Sequence, residues 1–111
     1  MSRLPDRLTL IPAGAGPGGA VDLRHYATSF DLAMAIAQLL DGAELVLTRS
    51  MASYPGFDTF PAFSVHALSA PGETGARTTT WLCAVYLGDL SPEALDAAVT
   101  EAQARLRMRA A

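Results

Sequence analysis

The chain has 111 residues, half of them hydrophobic and only 17% charged, with a formal charge of −3 and a single cysteine. That length suits one domain, able to bury roughly two-thirds of its unfolded surface without a disulfide or a metal. The apolar content excludes global disorder, the acidic balance lacks the basic footprint of a nonspecific nucleic-acid binder, and no apolar run approaches the ~20 residues of a membrane helix.

All eight basic residues are arginines, and lysine and asparagine are absent. Both missing residues use AT-rich codons, so the bias points to a GC-rich bacterial or phage genome. Met1 to Arg7 does not precede the apolar core of a signal peptide, and a cytoplasmic location is expected. So low a charge fraction leaves an apolar surface, which favours self-association or a partner face.

Arg7–Ile11 alternates weakly and ends at Pro12, the pattern of a short edge strand. In the loop that follows, Gly14, Gly16 and Gly19 satisfy the G-x-G-x-x-G spacing of dinucleotide sites. Phosphate binding there requires the loop to open directly into a helix. Instead Val21–Tyr26 alternates like a strand, and Pro17 removes one amide, so the stretch reads as a connector. Val21, Leu23 and His25 share one face of that strand; Asp22, Arg24 and Tyr26 share the other.

A helix is predicted over Ser29–Asp41, with Thr28 as cap, Asp31 at capping-box spacing and Gly42 as the left-handed stop. Leu32, Ile36, Leu39 and Leu40 form its core stripe. Phe30, Ala33, Met34 and Ala37 carry the apolar arc past half the circumference. A helix apolar nearly all round is buried on more than one side. The sheet can cover one side; the chain's own Arg7–Tyr26 segment or a second molecule would cover the other. Phe30 and Met34 are therefore candidate protein-binding residues, and a homodimer is expected.

Three meander strands follow, at about Glu44–Ser53, Ala62–Ser69 and Arg77–Leu87, divided by Pro55-Gly56 and Pro71-Gly72. Arg49 interrupts the apolar face of the first. The first connection holds Tyr54, Phe57 and Phe60, which either fold back onto the core edge or form an exposed recognition loop. The third strand is rich in β-branched and aromatic residues. Trp81, Cys83, Val85 and Leu87 are expected on one face, and Leu82, Ala84 and Tyr86 on the other. The lone Cys83 reads as a small hydrophobe. Ser91 and Pro92 start a last helix with core stripe Leu95, Ala98, Val99, Ala102 and Leu106. Its early acids and late arginines suit the helix dipole, though Arg105, Arg107 and Arg109 could also meet an acidic partner or nucleic acid.

Catalytic and metal signals are sparse. His25 and His66 are the only histidines, without ligand-spaced companions, and no nucleophile elbow or Ser/His/Asp grouping occurs. No catalytic residue, cofactor or metal is predicted.

The order helix, three antiparallel strands, helix resembles that of double-stranded-RNA-binding domains. Where those domains place lysines, however, this chain has Ser91-Pro92-Glu93. The same order is similar to that of the small acidic dimeric secretion chaperones of bacteria. No motif carries either likeness, and neither assigns a family.

The expected architecture is one α+β domain over 1–111. It is a two-layer sandwich whose mainly antiparallel sheet, the three-strand meander plus one or two N-terminal strands, packs against two helices. The expected function is a non-enzymatic protein-binding module of the chaperone, adaptor, immunity or phage-inhibitor type, using Tyr54, Phe57, Phe60, Phe30 and Met34. The alternative is a small-ligand or enzymatic domain with a pocket near His25, His66 and Trp81.

Overall fold

The computed structural model describes residues 4–5, 7–12, 23–53 and 56–110. Two short strands, β1 (Leu8–Pro12) and β2 (Arg24–Tyr26), precede helix α1 (Ser29–Leu40). The meander β3 (Glu44–Ala52), β4 (Phe60–Leu68) and β5 (Thr79–Tyr86) follows, and helix α2 (Pro92–Ala110) ends the chain. The five strands form one antiparallel sheet in the order β2-β1-β5-β4-β3, as expected for a two-layer α+β fold. The glycine-rich stretch with Gly14, Gly16 and Gly19, and the residues Val21, Asp22 and Tyr54, lie outside the described residues.

Local signals account for both helix starts. The Asp31 amide donates to Thr28 Oγ1 at 3.1 Å, and the Ala94 amide donates to Ser91 Oγ at 3.1 Å. Both bonds satisfy amides that the helix cannot. At the end of α1, Asp41 itself takes the left-handed conformation (φ 49°) and its amide donates to the Ala37 carbonyl. Gly42 follows, also at positive φ (88°). The stop therefore begins one residue before the expected glycine.

β1 departs from its expected place. It is an interior strand, with Leu10 opposite Arg24 on one side and Val85 on the other. Pro12 ends the strand without confining it to an edge, because it is the last paired residue. Thr9, Leu10 and Ile11 are all buried, so both faces of β1 are covered.

The predicted faces of β5 also change. Val65 pairs with Cys83, but His66 pairs with Trp81, which leaves Leu82 as the extra residue of a β-bulge. The bulge reverses the alternation. Trp81 leaves the Cys83 face and joins His66 on the opposite one, 44% exposed, while Leu82 packs against the helix-side core.

Both helices cover one face of the sheet. Leu10, Val65, Cys83 and Val85 meet Leu32, Ile36 and Leu40 of α1 and Leu95, Val99 and Ala102 of α2. Among the described residues α2 covers a second side of α1, and the flank with Phe30, Met34 and Leu39 stays partly exposed. Arg105 of α2 also lies over the Phe30 ring, 5.0 Å from its centroid.

The opposite face carries a smaller core of Ile11, Ala52, Phe60, Ala62 and Ala84. Phe60 is fully buried there, edge-on to Phe57 at 6.2 Å and to Tyr86 at 5.6 Å. It belongs to β4, which starts two residues earlier than expected. Pro61 is tolerated in this strand because the β4–β5 register begins only at Phe63. Phe60→Ala removes the centre of the second core, and an equilibrium urea melt should show about 3–5 kcal/mol lost. A loss below about 1 kcal/mol would mean that the ring is not packed as described.

Candidate functional site

One flank of α1 is left open beside β2. Asp31, Met34, Ala35, Gln38 and Leu39 lie at helical spacings of three, four, seven and eight from Asp31, so they form a stripe along the helix. With Arg24, His25 and Tyr26 of β2, Phe30 and Arg109 near the end of α2, this stripe lines a groove of about 690 Å³. The floor is apolar: Phe30, Met34 and Ala35 are half-buried against the core, and Leu39 is 42% exposed. Arg24, Arg109 and Asp31 supply the charge. Among the described residues two arginines stand against one acid here, in a chain of net charge −3.

A smaller cavity of about 400 Å³ adjoins it between the C-terminal halves of α1 and α2, lined by Gln38, Asp41, Gln103, Leu106 and Arg107 among others. Gln103 Nε2 donates to the Ala43 carbonyl at 2.9 Å, tying α2 to the turn after α1.

The five residues expected to bind protein divide between opposite faces of the sheet. Phe30 and Met34 come together in the groove. Phe57 and Phe60 come together in the second core, and Tyr54 is outside the described residues. Phe60, with no exposed surface, cannot offer its ring to a partner while it holds that core. Phe57 is half-buried on it. Phe57 and Phe60 thus fold back onto the core.

The two histidines do not share a pocket. His25 stands on the wall of the groove, with its Nδ1 3.0 Å from Thr9 Oγ1. His66, with Nε2 3.4 Å from Thr48 Oγ1, is on β4, three strands away across β1 and β5. That separates them by about 14 Å in the pairing direction alone. Trp81 is the cross-strand neighbour of His66 and is likewise remote from the groove.

The C-terminal arginines do different things. Arg105 pairs with Glu101 at 3.0 Å and covers Phe30, Arg107 borders the smaller cavity, and Arg109 reaches the groove. Sequence reasoning did not name Arg24, Gln38 or Leu39 as site residues, and it named Arg109 only with Arg105 and Arg107, as a patch for an acidic partner or nucleic acid. The spacing of Gln38 and Leu39 from Met34 was readable, but the approach of Arg24 and Arg109 depends on the tertiary fold.

Among the described residues no group of three His, Cys, Asp or Glu is placed to hold a metal, and no helix is long and apolar enough to cross a membrane. No family model, no curated protein and no solved structure matches the chain.

The cysteine is part of the helix-side core. Burial pushes the Cys83 thiol up to about 12, because the apolar surroundings disfavour the thiolate. The native thiol should resist a thiol-specific reagent at about pH 8 and react only as the chain unfolds. The folded value lies above the ordinary 9.0. Between those two pH values the folded thiol keeps a proton that the unfolded chain has lost, so stability falls as pH rises through that window. Urea melts at about pH 8 and about pH 10.5 should show a smaller loss for Cys83→Ala than for the wild type. Equal losses would contradict the burial of the thiol.

Proposed function

We infer that the chain is a small, non-enzymatic protein-binding module of the cytoplasm that works as a homodimer. The observation that carries the reading is the groove between β2 and α1, where an apolar floor of Phe30, Met34, Ala35 and Leu39 meets a basic rim of Arg24 and Arg109. Hot-spot residues of partners are typically large apolar side chains seated in such pockets, with charged groups at the rim setting register. The chemistry suits a peptide segment that presents apolar side chains to Met34 and Leu39 and carboxylates to the two arginines.

The chemical character of the groove argues in the same direction. Among the described residues it holds one histidine and one acid, His25 and Asp31, and Cys83 lies in the core rather than on its walls. A small-ligand site is the second reading. It is favoured by a volume within the roughly 300–1,000 Å³ of ordinary ligand pockets.

Peptide libraries panned against the immobilised protein should return segments that combine apolar and acidic residues. Their affinity should fall about tenfold or more in Met34→Glu and in Arg24→Glu, the loss typical of a removed interface anchor. Peptides indifferent to both substitutions would contradict the groove as the site. Failure to recover any peptide, together with a thermal shift from a small-molecule library that Met34→Glu abolishes, would favour the second reading.

A further inference from the structure

β3 is the long free edge of the sheet. Among the described residues it pairs with β4 alone, over nine residue pairs from Glu44↔Leu68 to Ala52↔Phe60 without a register shift. An unpaired strand of this length is normally blunted by proline, a bulge, inward charge or a covering segment. β3 contains no proline and no bulge, and Arg49 is the one charge on its helix-bearing face. Along it lie Met51, 61% exposed, and the half-buried Leu45, Val46 and Leu47.

Charges of both signs lie beside this edge. Leu45 and Leu47 border a cleft with Pro92, Glu93 and Asp96 at the start of α2. Arg49 lies on the same, helix-bearing face of β3, because it is two residues from Leu47 and pairs with Phe63, whose ring it overlies at 5.9 Å. Among the described residues Arg49, Glu93 and Asp96 have no ion-pair partner, whereas Glu44 and Arg105 do.

We propose that β3 is the dimer interface, pairing antiparallel with β3 of a second copy about a two-fold axis through Thr48, so that the sheet runs continuously through both chains. Directly opposed residues of antiparallel strands share a face, so the axis must pass through a residue rather than between two. An axis at Thr48 pairs all nine residues. Leu45 meets Met51 of the other copy, Val46 meets Ser50, and Leu47 meets Arg49. Met51 gains apolar cover. Each Arg49 enters the cleft that holds Glu93 and Asp96 of the other chain, where it separates acids that would otherwise face their own copies. An axis at Arg49 would set like charges opposite one another and is excluded. This inference names the surface for the self-association in the proposed function. The groove lies at the opposite edge of the sheet, so Met34→Glu should leave dimerisation unchanged whatever it does to peptide binding.

The test is a pair of charge reversals measured by sedimentation, with circular dichroism confirming that each variant folds. The wild type should sediment at twice its chain mass of 11.6 kDa. Arg49→Glu alone places two acidic clusters together, and Glu93→Arg/Asp96→Arg alone places two basic ones together. Each should weaken self-association by about tenfold or more. Mixed in equal amounts the two variants should recover a dimer, because in the mixed pair both contacts join opposite charges. A wild-type monomer at high micromolar concentration overturns the proposal, even if the edge accepts a strand from another protein. A dimer that survives either reversal, or a mixture that fails to reassociate, overturns the assigned pairing.

Discussion

The structure depends on the pairing of the first strand with the last. Leu10 stands opposite Val85, both essentially without exposure, and β1 therefore occupies an interior position although it comes from the start of the chain. This long-range contact closes one side of the meander. It carries β2 out to the edge beside α1, where the groove forms. Among the described residues it also leaves β3, on the far side of the sheet, as the only long strand with a free edge. Without it β5 would be an edge strand, and α1 would lose the floor on which Leu32 and Ile36 rest.

The two faces of the sheet are completed differently. On one, α1 and α2 lie over Leu10, Val65, Cys83 and Val85, and α2 doubles as the second cover for α1. On the other, no helix lies among the described residues; Phe60, the first residue of β4, fills the space against Ile11, Ala62 and Ala84. Burial of such a ring stabilises by roughly 2–3 kcal/mol, which accounts for aromatics in a connection that would otherwise run over the surface. The remainder of that face, near His66 and Trp81, is half-buried or exposed.

Much of this was legible in the residues, and the misses share a cause. Thr28, Ser91 and Pro92 announced both helix starts, and the proline–glycine pairs divided the meander into its three strands. The unusual girth of α1 called for more cover than the sheet gives, and the part that α2 supplies was not foreseen because helix–helix packing depends on tertiary placement, which periodicity does not encode. β1 looked like an edge strand because Pro12 follows it directly, yet a proline at the last paired position removes nothing from the ladder. The bulge at Leu82 has no local signature, so simple alternation placed Trp81 on the wrong face. Phe30 and Met34 were legible as groove residues; Arg24 and Arg109 reach the site from elements distant in sequence.

Amide hydrogen exchange through β1 tests the arrangement most directly. The account predicts that the amides of Leu10 and Ile11 are protected as strongly as those of Cys83 and Val85, opening only with global unfolding. Exchange of the β1 amides at the rate of a frayed terminus, with β5 still protected, would contradict it. It would mean that the opening strand is not built into the sheet and that neither the groove nor the free edge of β3 is positioned as described.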